Sequence, residues 1–156
     1  MNGSPCGFFE SARGLRQGDP LSPFLFLVVM EPLSHLLSHT GNGHFITGFS
    51  VGCPVEIPMC VSHLLFGDDT LIFCGADPLQ LWHLRGVFVW FQAISGLKIN
   101  MGKSELVPVG DVVMVEDIAG ILGCKFPSLP MTYLGLPLGS GYKETAVWPG
   151  IIEKTE

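Results

Sequence analysis

Charged residues are scarce in this chain. They make up 14% of its 156 residues, against roughly 25% in an average soluble domain, while hydrophobic residues reach 47%. Positive charge is the scarcer sign, because eight Lys and Arg stand against fourteen Asp and Glu, for a net charge of −6. This balance excludes a generally basic nucleic-acid-binding surface, and the apolar content excludes an intrinsically disordered chain. The length predicts one domain with too few charges to cover its own surface.

Long hydrophobic runs are also missing. The longest uninterrupted apolar stretch, Pro23 to Met30, is far shorter than the roughly 20 residues of a membrane span, so we expect no membrane partner. The N-terminus lacks the basic start and apolar run of a secretory signal, which predicts an intracellular protein without deciding between nucleus and cytoplasm. The five cysteines contain no C-x-x-C pair, so we expect reduced, mostly buried thiols rather than disulfides or a zinc ribbon.

Two long helices are predicted by an Asp-Pro pair followed by apolar residues at helical spacing. Asp19-Pro20 is expected to open a helix of about five turns that is buried on most sides and ends near Gly43. Asp77-Pro78 repeats the signal and predicts a second helix that ends at Gly96. Three aromatic residues of the second helix could stack bases, but their helical spacing among Leu and Val favours the core: Trp82, Trp90 and Phe91.

The strand pattern is clearest in one hairpin. Met59 to Phe66 is an apolar run, Gly67-Asp68-Asp69 is a turn, and Thr70 to Cys74 is a return strand. Shorter elements are predicted downstream: strands over residues 97–100 and 103–109, a helix near 112–122 and an extended run over 131–138. This order predicts an α+β fold, with an antiparallel sheet that carries helices packed on one face.

Asp68 and Asp69 are the strongest chemical signal that the residues carry by themselves. Adjacent carboxylates at the tip of an apolar hairpin are unfavourable unless a cation or water satisfies them, and Mg²⁺ accepts such oxygen ligands. Gly-Asp-Asp also suits a solvated turn, so the local sequence leaves both interpretations open. No Lys or Arg occurs between Arg16 and Arg85. Phosphates therefore approach this pair only if metal ions neutralise it, or if positive charge comes from another segment or chain.

Two other possible metal sites are not supported by their surroundings. His35 and His39 have the i, i+4 spacing of zinc ligands, but the sequence offers no evident third ligand. Cys53, Cys60 and His63 form a loose cluster that we interpret as buried thiols beside a strand histidine.

Four sequence blocks are specific enough to indicate a family. The blocks are GLRQGDPLSP from Gly14, HLLFGDDTLIF from His63, GLKIN from Gly96 with Lys103-Ser104, and YLGLPLG from Tyr133. They resemble, in the same order, blocks of the reverse transcriptases of non-LTR (LINE-type) retrotransposons, most closely those of plants. The resemblance covers residues 2–139, so it is far more specific than a single Gly-Asp-Asp would be.

The resemblance implies RNA-directed DNA synthesis by a partial right-hand polymerase palm over residues 1–142, with residues 143–156 beginning a truncated thumb or connector. RNA template and DNA primer are the implied partners, and Mg²⁺ or Mn²⁺ is the implied cofactor. The implied catalytic residues are Asp68 and Asp69, which hold the metal, and Lys103, which serves the pyrophosphate. The residues implied at the nucleotide and template are Arg16, Gln17 and Gly18, and those of the primer grip are Leu134, Gly135 and Leu136.

Two departures from the family pattern modify this expectation. Such palms need a further Asp upstream of Gly14, where the only acid here is Glu10, so we expect a fragment without fingers that is inactive as an isolated chain. Gly67 stands where the family usually has Ala, and we expect it to loosen the turn. The alternatives are a non-catalytic retroelement remnant or an interaction module that self-associates through an open sheet edge. A third possibility, an RNA polymerase or nuclease fragment, depends on the Gly-Asp-Asp alone.

Overall fold

Three helices and six short strands make up the part of the chain that the computed structural model describes, residues 18–51 and 59–139. The helices are α1 (Ser22–Asn42), α2 (Pro78–Ser95) and α3 (Val115–Leu122). The strands are β1 (Phe49–Val51), β2 (Met59–Val61), β3 (His63–Phe66), β4 (Asp69–Ile72), β5 (Met131–Tyr133) and β6 (Leu136–Leu138). The predicted α+β class is confirmed.

The two Asp-Pro signals give different helix starts. Asp77 caps α2 as predicted, because its side chain accepts a hydrogen bond from the Leu79 backbone N–H at 3.1 Å. Asp19 accepts from the Leu21 N–H at 2.9 Å, and its carbonyl accepts from the Ser22 N–H. Asp19 therefore closes a separate turn, and α1 begins at Ser22 instead of Pro20. The predicted helix ends at Gly43 and Gly96 are confirmed.

The core lies where α1, α2 and α3 pack together. Its buried side chains recur at helical spacing on α1 and α2, occupy adjacent positions on α3, and are joined by Ile46 from the α1–β1 connection. The buried hydrophobic residues are Met30, Leu33, Leu37, Ile46, Leu81, Leu84, Val87, Phe88, Phe91, Ile118 and Ala119. A single continuous core therefore holds the described helices together.

Fewer apolar side chains are buried than the sequence predicted. In α1 only Met30, Leu33 and Leu37 are buried, so the expectation of a helix buried on most sides is wrong. Trp82 and Trp90 are 54% and 66% exposed, so the prediction that Trp82, Trp90 and Phe91 lie in the core is confirmed only for Phe91. The reason is geometric, because among the described elements each helix packs against neighbours along one stripe and no second layer covers its opposite face.

The strands form three separate two-stranded antiparallel sheets, β1–β2, β3–β4 and β5–β6, within the described part of the chain. The single antiparallel sheet predicted from the sequence is therefore wrong. The chain changes partner at Ser62, since Val61 pairs with Phe49 whereas His63 pairs with Ile72. The β5–β6 sheet contains Pro137. Its backbone has no N–H to donate, which limits pairing with a further strand.

The two strands predicted at residues 97–100 and 103–109 are also wrong. The carbonyl of Asn100 accepts from the backbone N–H groups of Lys103 and Ser104, which bends the chain into a turn. Beyond it, Glu105 and Lys125 form one isolated parallel bridge. None of the helices in residues 18–51 and 59–139 is long and apolar enough to cross a membrane.

Candidate functional site

The turn of the β3–β4 hairpin carries the two carboxylates. Phe66 pairs with Asp69, so the loop has only two residues, Gly67 and Asp68. Gly67 has φ of +58°, and Asp68 is not among the residues with positive φ. A glycine with positive φ at the first loop position is typical of a type II′ turn, which matches the twist of the flanking strands. The expectation that Gly67 loosens the turn is wrong, because this backbone conformation favours glycine.

Both carboxylates face solvent. Asp68 and Asp69 are exposed, and no ion pair joins either of them to a cation in the described ranges. No cluster of three or more His, Cys, Asp or Glu forms there either. The pair therefore offers oxygen ligands from one side only and leaves the other coordination positions of a metal to water or phosphate. Mg²⁺ is commonly bound in this way, by one or two carboxylates with substrate phosphates, so the donor set fits it.

Strand alternation assigns the hairpin two different faces. Ile72 packs against the helical core, and its cross-strand partner His63 lies on the same face. Asp69 and its partner Phe66 belong to the opposite face, where Phe66 is 64% exposed. The hairpin thus sits with one face against α1 and presents its carboxylate end on the uncovered side.

His63 fastens this hairpin to α1. Its Nε2 lies 3.0 Å from the hydroxyl oxygen of Ser34, and its Nδ1 lies 2.9 Å from that of Ser62. A neutral imidazole donates at one ring nitrogen and accepts at the other, so it can bond to both hydroxyls at once. Burial lowers the pKa of His63, which favours this neutral form. The bond to Ser34 spans 29 residues of sequence and ties the strand before the Asp-Asp turn to a core helix.

No sequence pattern marks the contact between His63 and Ser34. We interpreted His63 as a strand histidine beside buried thiols, and the strand position is confirmed. The interpretation as a buried thiol is wrong for Cys60, which is exposed in the middle of β2. Cys74 is partly buried, and burial raises the pKa of its thiol. Cys53 lies outside the described residues.

A second side chain missed by the sequence analysis holds the other end of the hairpin. Gln80 Oε1 accepts from the backbone N–H groups of Thr47 and Gly75, each at 2.9 Å. Its Nε2 donates to the Thr47 hydroxyl at 2.6 Å. One glutamine on α2 therefore joins the segment after β4 to the segment before β1.

The predicted nucleotide and template residues are only partly described. Gly18 is exposed with φ of +83°, and a Cβ added there would meet no atom of the described residues within 4 Å. This open backbone leaves room for a close approach by a ligand. Arg16 and Gln17 lie outside the described residues.

Lys103 is exposed in the turn after Asn100, whose side-chain oxygen accepts from the Lys103 backbone N–H at 3.3 Å. No hydrogen bond or ion pair joins Lys103 to either carboxylate in the part of the chain that the structure describes. The structure therefore brings Asp68 and Asp69 together and does not bring Lys103 into contact with them.

The predicted primer-grip residues form a second tight hairpin. Tyr133 pairs with Leu136, so Leu134 and Gly135 are the two loop residues. Both have positive φ, +51° and +80°, as a type I′ turn requires. A leucine in this region is strained, and such strain occurs preferentially at functional positions. Leu134 is 46% exposed, so the turn presents an apolar side chain at the surface.

Comparison with known proteins identifies the family of the chain. The family model for reverse transcriptase (RNA-dependent DNA polymerase) matches residues 1–138. An uncharacterized mitochondrial protein of Arabidopsis thaliana is 43% identical over 114 residues, which is 72% of this chain and 88% of that protein. No solved structure matches the chain.

Two retroelement proteins are also similar. The retrovirus-related Pol polyprotein of a type-1 R2 retrotransposable element from Popillia japonica is 36% identical over 97 residues, which is 62% of this chain. The corresponding type-2 polyprotein from Drosophila melanogaster is 32% identical over 138 residues, which is 82% of this chain. The chain spans 12% of the length of each polyprotein. With the family model matched over residues 1–138, this chain belongs to the reverse transcriptase family and is related to the Pol polyproteins of retrotransposable elements.

Proposed function

We propose that this chain carries the carboxylate hairpin with which an RNA-directed DNA polymerase holds its catalytic metal. The observation that supports the proposal is the position of Asp68 and Asp69, both exposed, at a two-residue turn of a hairpin fastened to the core. Residues 1–142 then form part of a right-hand palm, and residues 143–156 lead into a thumb or connector. RNA template and DNA primer are the partners.

Asp68 and Asp69 would hold Mg²⁺ or Mn²⁺, which activates a primer hydroxyl and stabilises the leaving pyrophosphate when it is bound. The protein's own contribution is positional. The short turn keeps two negative side chains close together on the solvent side, and His63 keeps the strand that leads into the turn against α1. Carboxylate ligands that are already held in place need little rearrangement when charge develops in the reaction.

The remaining predicted residues have roles around this centre. We assign Arg16, Gln17 and Gly18 to the nucleotide and template, and Leu134, Gly135 and Leu136 to the primer end. Lys103 supplies a positive charge to the pyrophosphate once substrate is bound. The described residues bring no third acidic ligand to Asp68 and Asp69, so we further propose that the isolated chain binds metal there without extending a primer.

A chimera tests this function. Residues 1–138 replace the matched segment of the Drosophila R2 polyprotein, and primer extension is measured on an RNA template with Mg²⁺. We expect extension by the chimera, a loss of more than about 100-fold in its Asp68→Asn variant, and no extension by the isolated chain. Full activity of the Asp68→Asn chimera overturns the proposal. Asp68-dependent extension by the isolated chain contradicts only the claim that its site is incomplete.

A second candidate function is an interaction module without catalysis. The observation that favours it is the uncovered hairpin face, on which Leu64 and Phe66 are 50% and 64% exposed beside an open strand edge. Sedimentation of the chain, together with the chimera assay, distinguishes the interaction module from the polymerase function. A defined dimer that Phe66→Ser converts to a monomer, together with an inactive chimera, supports the interaction module. A monomer with an active chimera excludes it.

A further inference from the structure

A groove between α1 and α2 lies beside the core and apart from the carboxylate hairpin. Trp82, Gly86 and Trp90 recur at i, i+4 and i+8, so they share one face of the helix over about 12 Å. The groove has a volume of about 290 Å³, which is near the lower end for ligand sites. Its other lining residues are Leu36, Thr40, Phe45, His83 and Val87.

Gly86 gives this groove its depth. A glycine inside a helix lowers helix stability relative to alanine. Such a cost is usually balanced by close packing, but a Cβ added at Gly86 would meet no atom within 4 Å. The missing side chain therefore serves no contact within the described structure, and it opens space between Trp82 and Trp90.

Aromatic surface dominates the groove walls. Trp82 is 54% and Trp90 66% exposed, and the rings of Phe45 and His83 lie beside them with centroids 4.9 Å apart. The guanidinium of Arg85 lies 5.2 Å from the centre of the Trp82 ring and donates to the Ile121 carbonyl at 3.1 Å. Arg85 thus fixes positive charge at one end of a row of exposed rings.

The segment around the groove is positively charged, although the net charge of the whole chain is negative. The chain has net charge −6, yet residues 78–104 contain no Asp or Glu and include Arg85, Lys98 and Lys103. Among the described residues, no carboxylate lines the groove. Exposed rings beside positive charge, in a segment without acids, fit a planar ring attached to a phosphate backbone better than they fit an acidic or aliphatic partner.

We propose that the groove between Trp82 and Trp90 binds a nucleobase of single-stranded RNA or DNA by stacking. The proposal deepens the proposed function, on which it rests for the kind of partner, but the groove lies apart from Asp68 and Asp69 and needs no metal. Gly86 admits the base, the two tryptophans stack on it, and Arg85 holds one ring in place and attracts the adjoining phosphate.

Tryptophan fluorescence of the full chain, titrated with oligo(U) and oligo(dT) of twelve nucleotides in a metal-free buffer, tests this site. We expect saturable quenching by one or both oligonucleotides, and the two arms tell an RNA site from a DNA site. Trp90→Ala is expected to weaken binding by about tenfold, as loss of one stacked base predicts. The Asp68→Asn, Asp69→Asn double variant is expected to bind as the parent does, even if every polymerase assay fails.

The Gly86→Ala variant distinguishes a loss of binding from a loss of folding. Alanine raises the melting temperature by about 2–4 °C because it favours the helix, yet its methyl group fills the groove and is expected to weaken binding at least about fivefold. Gly120→Ala in α3 is the matched control, since a Cβ there also meets no atom within 4 Å, and it stabilises without affecting binding. Equal binding by the Gly86→Ala and Gly120→Ala variants overturns the proposal. Absence of oligonucleotide binding, with self-association that Trp90→Ala abolishes, overturns it in favour of a protein occupant.

Discussion

The Nε2 atom of His63 lies 3.0 Å from the hydroxyl oxygen of Ser34, which joins the strand before the Asp-Asp turn to a core helix. This bond explains how a hairpin with an uncovered outer face keeps a defined position. The strand alone has few buried contacts, and the adjacent turn is made of residues that prefer solvent. The position of the two carboxylates therefore depends on a polar contact made by His63, five residues before Asp68.

The first prediction concerns pH. The pKa of His63 is lowered by burial, so near and below its ordinary value of about 6.5 the unfolded chain binds more protons than the folded one. The contribution of His63 to the free energy of unfolding is therefore complete above about pH 7 and is lost as the pH falls through 6.5 toward the folded pKa. Urea unfolding at pH 7.5 and 5.5 measures this loss.

The comparison for this measurement is His63→Gln, which retains a hydrogen-bonding side chain and does not titrate. The other histidines are common to both proteins, so their contributions cancel in the difference between the two pH profiles. A shallower profile for His63→Gln agrees with the account. Identical profiles would show that His63 is as free to protonate in the folded chain as in the unfolded one.

The second prediction concerns the turn that carries the carboxylates. Because φ of Gly67 is +58°, Gly67→Ala is expected to lower the free energy of unfolding by about 1 kcal/mol. Gly120→Ala, in the interior of α3, is expected to raise it by about 0.5–1 kcal/mol. Chemical denaturation of both variants measures the two signs. Stabilisation by Gly67→Ala would mean that the turn is not of type II′.

The third prediction concerns the strained leucine. Leu134→Asn creates Asn-Gly, the pair that type I′ turns favour, and is expected to stabilise the chain by about 0.5–1 kcal/mol. If Leu134 supports a primer end, the same variant placed in the R2 chimera extends primers less well although it is more stable. Thermal melting and primer extension give the two readouts. Leu134→Ala, which keeps the strain and shortens the side chain, is not expected to stabilise.

The fourth prediction separates the two Asp-Pro signals. Asp77→Ala removes the side-chain cap of α2 and is expected to cost about 1 kcal/mol. Asp19→Ala removes a bond to Leu21 outside α1 and is expected to cost less than half as much, because the helix begins at Ser22 without a side-chain cap. Equal losses in denaturation experiments would place the true start of α1 nearer to Asp19.

Local features of this fold were predictable, and contacts distant in sequence were not. Asp77, Gly96 and the Gly67-Asp68 turn each act within a few residues, so the sequence placed α2 and the β3–β4 hairpin correctly. Burial was overpredicted for Trp82 and Trp90, because an apolar helix pattern does not state how many neighbours will cover the helix. The strands predicted near Asn100 failed because its side chain and carbonyl bond to the backbone that follows.

The carboxylate pair shows the same difference between local features and contacts distant in sequence. Asp68 and Asp69 could be predicted at a turn because they are neighbours in a hairpin pattern. The fastening of that hairpin by Ser34 could not, since nothing in a helical serine marks a partner 29 residues away. Lys103 was connected to the site through family resemblance alone, and the described structure records no contact that joins it to the carboxylates.

The most direct test of the account is whether Asp68 and Asp69 bind a divalent metal in the full chain. Mn²⁺ is titrated into the isotopically labelled protein, and paramagnetic broadening of backbone NMR signals locates the ion. The account predicts that the signals of residues 67–70 broaden first and that the Asp68→Asn, Asp69→Asn variant loses this effect. Broadening centred on Glu31 and His35, which pair at 3.4 Å on α1, or unchanged broadening in the double variant, would contradict it.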